Sequence, residues 1–162
     1  MDEQFFTKEV KGMERTLYRV AYSYLRSDED AADAVQDALL QGWEKRATLR
    51  DEQYFRTWMT RVLINSCNAR LRKHRFELPF TEATGSSQED SHLEFYLREV
   101  LAAMDIKYRV PLTLFYLDGF SLKEIAQLLG LPKGTVKSRI SRARDKLREV
   151  FKDEEVFEDE AL

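Results

Sequence analysis

The sequence predicts an all-α protein built as two small helical domains joined by a flexible linker, the second containing a helix-turn-helix. Three observations carry this reading. Apolar residues recur at spacings of three and four along most of the chain, with little of the β-branched alternation that marks strands. From residue 4 to 75 the only helix-weakening residues are Gly12 and Gly42, with no proline. Residues 77 to 91, from Glu77 through Pro79, Thr84, Gly85, Ser86 and Ser87 to Ser91, lose the periodicity and gain turn formers. The boundaries follow: a first domain over 1–76, a linker over 77–92, a second domain over 93–152 and an acidic tail over 153–162.

The second domain is the more explicit. A helical set opens near Leu93 with Leu97, Val100, Leu101 and Met104 on one stripe, and continues through Val110, Leu114 and Leu117, with a kink or new start at Pro111. Ser121 followed by Glu124 is a capping box, since hydroxyl and carboxylate can each satisfy an amide left unpaired at a helix start. Ile125, Leu128 and Leu129 then share a face, Gly130 suits a left-handed end to that helix, Pro132 cannot easily continue it, and Thr135 can cap the next. In that next helix Val136, Ile140, Ala143 and Leu147 point inward, while Lys137, Ser138, Ser141 and Arg142 point elsewhere.

Charge gives this motif a partner. Residues 133–152 hold eight basic side chains against Asp145 and Glu149, an excess of six positive charges. Helix, tight turn and helix are the geometry that lets a second helix enter a DNA major groove, so the motif points to phosphate and base contacts. A basic amphipathic helix with a merely solvated outer face is the alternative.

Length and composition bound the rest. The 162 residues, 43% apolar and 34% charged, suffice for packed helical cores. The net charge of −3 averages over patches whose local fields matter more at contact distance. Cys67 is the sole cysteine and His74 and His92 the only histidines, which excludes an intramolecular disulfide and argues against a metal site. No apolar run approaches the roughly 20 residues needed to span a bilayer, and the N-terminus lacks the pattern of a signal peptide, so a cytoplasmic protein is expected. There is no Gly-rich phosphate loop and no nucleophile paired with a base, which argues against an enzyme and against a cofactor.

The first domain carries two surfaces of opposite sign. Over Asp28 to Glu44, Ala31, Ala34, Val35, Ala38 and Leu39 form the stripe expected to be buried, leaving Asp33, Gln36, Asp37, Leu40 and Glu44 outside. Such an acidic face with one apolar residue suits a basic protein partner, or simply water. The next helix, Tyr54 to Arg75, carries six basic residues and no acidic one from 56 to 75. Beside them stand Tyr54, Phe55 and Trp58; cations next to flat rings are what unpaired nucleic acid needs, although Trp58 is expected in the core.

The blocks Asp30-Ala31-Ala32-Asp33-Ala34-Val35-Gln36-Asp37-Ala38-Leu39-Leu40-Gln41-Gly42-Trp43, Phe55-Arg56-Thr57-Trp58-Met59-Thr60-Arg61-Val62-Leu63-Ile64-Asn65 and Gly134-Thr135-Val136-Lys137-Ser138-Arg139-Ile140-Ser141-Arg142-Ala143-Arg144 resemble, in this order, the extracytoplasmic-function group of bacterial sigma factors. The resemblance spans about residues 5 to 150. It implies a factor that binds core RNA polymerase and directs initiation at promoters through their −10 and −35 elements, commonly held inactive by an anti-sigma factor. A conventional helix-turn-helix regulator, binding duplex operators without polymerase, is the alternative.

By the same resemblance, Asp33, Gln36, Asp37 and Leu40 would dock on the polymerase. Arg61, Asn65, Arg72 and Lys73 would lie along the −10 element, and residues 46–53 would shape a pocket for a flipped base. Lys137, Ser138, Arg139, Ser141 and Arg142 would face the −35 element, where an arginine can pair with guanine. The chain departs from the group in having Met104-Asp105-Ile106 where many members have Leu-Pro, and in the small Ser141. The tail, Asp153 to Leu162, holds six acidic residues and matches no motif of the group; a solvated, frayed segment is expected.

Overall fold

The computed structural model describes residues 1–74 and 92–152, all of whose regular elements are helical. The chain divides into two compact units, Met1–Gln88 and Glu89–Leu162. The linker expected over 77–92 lies outside the described residues except for His92, and the tail over 153–162 lies outside them entirely. No helix among the described residues is long and apolar enough to cross a membrane.

The first unit is a three-helix bundle. Helix α1 (Glu3–Leu25) starts where the Asp2 carboxylate accepts from the Phe5 amide at 2.8 Å, and it ends at Arg26, which adopts a left-handed φ of 53°. Ser27 caps α2 (Asp28–Glu44), whose first turn holds Asp28, Glu29 and Asp30, the sign that a helix N-terminus favours. The Tyr18 hydroxyl donates to the Asp28 carboxylate, tying α1 to that turn. Two single 3-10 turns, Arg46–Thr48 and Glu52–Tyr54, lead into α3 (Phe55–His74).

Packing explains the alanines of α2. This helix buries Ala31, Ala34, Ala38 and Gly42, so small side chains face the core to which α1 contributes Leu17, Val20 and Tyr24 and α3 contributes Met59, Leu63 and Cys67. A Cβ on Gly42 would stand 2.8 Å from the Met59 sulfur. Val35 and Leu39, expected inside, are only half-buried, because a stripe of small side chains lets the helix sit deep on a narrow face. One end of the bundle is closed by rings: Phe6 meets Trp43 at 5.3 Å and Phe55 at 5.7 Å, edge to face.

In the second unit, α4 (His92–Ala103) leads to α5 (Ile106–Leu112), capped by Asp105, and the buried Arg109 donates to the Met104 carbonyl at 2.5 Å. Pro111 sits inside α5, and the helix widens immediately after it into a π-helical turn, Thr113–Leu117. Proline lacks the amide that would continue the ladder, and the widened turn absorbs the misfit. The widening also shifts the register, so Leu117, expected in the core, is 43% exposed. Helix α6 (Leu122–Leu129) opens on the complete Ser121–Glu124 capping box and ends at Gly130 with φ 65°. Helix α7 (Lys133–Val150) buries Val136, Ile140, Ala143 and Leu147. It begins two residues before the expected cap: Pro132 is the N-cap, and Thr135 lies within the first turn. Pro132 combines a ring-locked φ of −60° with an extended ψ of 143°, and so turns the chain directly into the helix.

Candidate nucleic-acid interface

On α2, Asp33, Gln36, Asp37 and Leu40 are all exposed, and Leu40 shows 61% of its surface among them. A leucine held out among carboxylates adds nothing to the core; its apolar area is available to a partner. The face is not purely solvated, however. Asp37 is paired with Arg70 of α3 at 2.6 Å, so one charge of the acidic face is already engaged by the basic helix.

On α3, Arg61, Asn65 and Arg72 are exposed at spacings of four and seven, which lines them up along one side of the helix, with Lys73 exposed beside them. The opposite side, Met59, Val62, Leu63, Ser66 and Cys67, is buried. Arg70 departs from the basic stripe because it faces α2. Of the three aromatic residues, Tyr54 is 59% exposed, Trp58 is half-buried rather than in the core, and Phe55 is 1% exposed and belongs to the ring cluster. Only Tyr54 and part of Trp58 therefore offer a face for stacking.

The loop before α3 is built from local bonds. The Arg46 guanidinium donates to the Trp43 carbonyl at 2.7 Å and lies 3.9 Å from that ring's centroid. Asp51 accepts from the Gln53 amide at 3.1 Å and from its side chain at 2.6 Å. Such self-bonded turns hold a loop in one shape without a core beneath it.

On α7, Lys137, Ser138 and Arg142 are exposed, and Arg139 and Ser141 are half-buried. Not every cation of the block points outward: Arg144 donates to the Tyr116 hydroxyl at 3.2 Å, and Arg148 lies 4.0 Å from Asp145. Two residues that periodicity alone did not single out join this surface from α5. The Arg142 guanidinium, and after it Lys107, holds the Tyr108 phenol below its ordinary value, and the Lys107 ammonium stands 5.0 Å from its ring centroid. The sequence carried no signal for this, since the partners lie 34 residues apart on helices that meet only in the folded unit.

The described residues thus form two helical units, one with a basic stripe beside an acidic face and one with a helix-turn-helix. The sequence model for sigma-70 region 2 matches residues 10–77, and that for sigma-70 region 4 matches residues 94–147. The RNA polymerase sigma-E factor of Streptomyces coelicolor is 30% identical over 149 residues, covering 89% of this chain and 84% of the relative. The ECF RNA polymerase sigma factor SigM of Mycobacterium tuberculosis is 29% identical over 150 residues, covering 90% of this chain and 76% of the relative. Among solved structures, the sigma factor RpoE of Bartonella quintana, in complex with the anti-sigma factor NepR, superposes with a TM-score of 0.80 at 27% identity, over 92% of this chain and 98% of that one. The chain belongs to the ECF RNA polymerase sigma factors. It directs promoter-specific transcription initiation, a role the family performs without catalysing a reaction of its own.

Proposed function

We propose that each surface takes one task in this initiation. The domain over 1–76 docks on core RNA polymerase through Asp33, Gln36, Asp37 and Leu40, and holds the unpaired non-template strand of the −10 element along Arg61, Asn65, Arg72 and Lys73. The domain over 93–152 reads the −35 duplex with Lys137, Ser138, Arg139, Ser141 and Arg142. The linker over 77–92 connects them. The chain works in the cytoplasm with no enzymatic activity and no cofactor, and an anti-sigma factor holds it inactive, as NepR pairs with the Bartonella quintana protein.

One observation carries this reading: the exposed row Arg61, Asn65 and Arg72 combines cations with an amide on a helix whose other side is core. Cations follow a phosphate backbone, and an amide can bond the edge of a base once that base is unpaired. An operator-binding regulator has no use for such a row beside an acidic docking face. In vitro transcription with purified core polymerase over a promoter library tests the reading. Enrichment of one −10 and −35 pair is expected, with Asn65→Ala lowering output on duplex promoters more than on a template already unpaired at −10. Binding to duplex operators with no polymerase-dependent transcript would establish the regulator instead.

A further inference from the structure

The basic block of α7 is larger than the −35 reading uses. Lys146, Arg148 and Lys152 are exposed beyond Arg142, and Lys107 is exposed on α5; none of these four is among the residues assigned to the −35 element. Two of them gather at one place. The Lys107 ammonium stands 5.0 Å and the Lys146 ammonium 5.4 Å from the centroid of the Tyr108 ring, and Lys107, Tyr108 and Arg142 line one cleft. Arg142 and Lys146 are one helical turn apart, on the same side of α7. The result is a short row of cations, Lys146, Lys107 and Arg142, running from the end of α7 into its −35 face.

The chain leaves α7 beside this row at a fixed point. Phe151, the C-cap, is buried, and Lys152 after it is exposed. The next ten residues hold Asp153, Glu154, Glu155, Glu158, Asp159 and Glu160 and no cation. A helix C-terminus is the negative end of its dipole, so carboxylates placed there are repelled along the line of α7 and drawn to the cations on its side. The acids of α7 itself, Asp145 and Glu149, are too few to neutralise those cations, and Asp145 lies 4.0 Å from Arg148. Reach is ample. At about 1.5 Å per helical residue Arg142 lies roughly 15 Å back from Lys152, whereas ten extended residues span roughly 33 Å.

Resting on the −35 reading, we propose that residues 153–162 fold back over Lys146, Lys107 and Arg142 in the free chain and screen the −35 face of α7 until a promoter strand displaces them. The occupant of the basic row is thus a segment of this same chain. Tail and promoter strand are both polyanions, so they compete for the same cations, and cations already held by carboxylates have fewer counterions to release to DNA. The device lowers the affinity of the free chain for stray duplex. A promoter held by polymerase overcomes it, because the −35 element is then presented at high effective concentration.

The test places a nitroxide on Ala161→Cys in the full chain and reads backbone amides by NMR; Cys67 is buried, so labelling is confined to the added thiol. The amides of Lys107, Arg142 and Lys146 are expected to broaden at about 50 mM salt and to recover at about 500 mM, where charges are screened within about 4 Å. A saturating −35 duplex should also restore them. Deleting residues 153–162 should raise the affinity of the free chain for that duplex about tenfold at low salt and steepen the salt slope by about two to three. In a Lys107→Ala, Lys146→Ala background the gain from deletion should shrink several-fold. Unbroadened amides at low salt overturn the contact, as does broadening that fades on dilution, which would assign the tail to a second copy. A deletion gain of the same size in the doubly substituted background assigns it to net charge and overturns the masking, as does a tail that saturating duplex does not release. The −35 reading fails separately: a holoenzyme that does not distinguish cognate from scrambled −35 elements sinks it, while the broadening in the free chain stands.

Discussion

Cys67 lies wholly buried on the inner side of α3, where desolvation, opposed in small part by Arg70, pushes its thiol from 9.0 up to about 12. Tyr24, also in that core, is pushed upward by burial and by Cys67. Both groups are neutral in the folded protein across the neutral range. Raised folded values give a definite sign. The stabilisation is complete below the unfolded values and is lost as pH rises through about 9 toward 12, because the unfolded chain releases protons that the folded one retains. Urea midpoints of the chain should therefore fall steadily from pH 9 to 11, and Cys67→Ala should make that fall shallower. A slope unchanged by Cys67→Ala would show that the thiol titrates alike in both states. The presence of a lone cysteine was readable from the sequence, whereas its inertness depends on the core that α1 and α3 close around it.

At the scale of elements, α2 and α3 are joined by more than apolar packing. The Asp37–Arg70 pair bridges them at 2.6 Å, with the Asp37 side chain 54% and the Arg70 side chain 24% exposed. A partly exposed pair contributes at most about 1 kcal/mol once solvent screening is counted. Asp37 thus has two possible roles, and a charge swap separates them. Asp37→Lys should lower the stability of the unit by up to about 1 kcal/mol and also weaken binding to core polymerase. Adding Arg70→Glu should return the melting temperature but leave core binding weak, because the docking charge is still reversed. If the double variant binds core like the unaltered chain, the charge of Asp37 acts through the helix pair alone. Sequence periodicity placed Asp37 outside and Arg70 in a basic block, and both placements describe single helices correctly. It could not see that the two outer faces meet. Pro111 teaches the same limit: a kink or new start is expected there, whereas the helix runs through it, and the π-helical turn that follows and carries Leu117 outward depends on how the next residues repack.

For the whole molecule, a net charge of −3 coexists with two basic surfaces, one on each unit. Association with promoter DNA is governed by the local cations, each of which releases a counterion when it meets a phosphate. If about four phosphates are met, raising monovalent salt from about 50 to 200 mM should weaken binding of the holoenzyme's −35 contact roughly a hundredfold. Competition binding across a salt series would check this; a slope near zero would mean that the basic faces meet something other than phosphate.

What the sequence by itself determined was local. The helix start at Ser121 and stop at Gly130, the inward row of α7, and the order of the three motif blocks all depend on chemistry within a few residues. Such preferences survive in any environment that buries the apolar side, which is why the all-α class and the outward residues Lys137 and Arg142 could be named before any coordinates, whereas Asn65 and the −10 role of Arg61 came from the resemblance to a family. What only the tertiary structure decided was pairing between distant segments. Phe55 turned into the ring cluster with Phe6, Arg70 took Asp37, and Tyr108 came to line one cleft with Arg142. Each depends on which helices pack and at what rotation. A helix's own periodicity says which side faces inward, but the partner across the contact is chosen by the shape of the other helices.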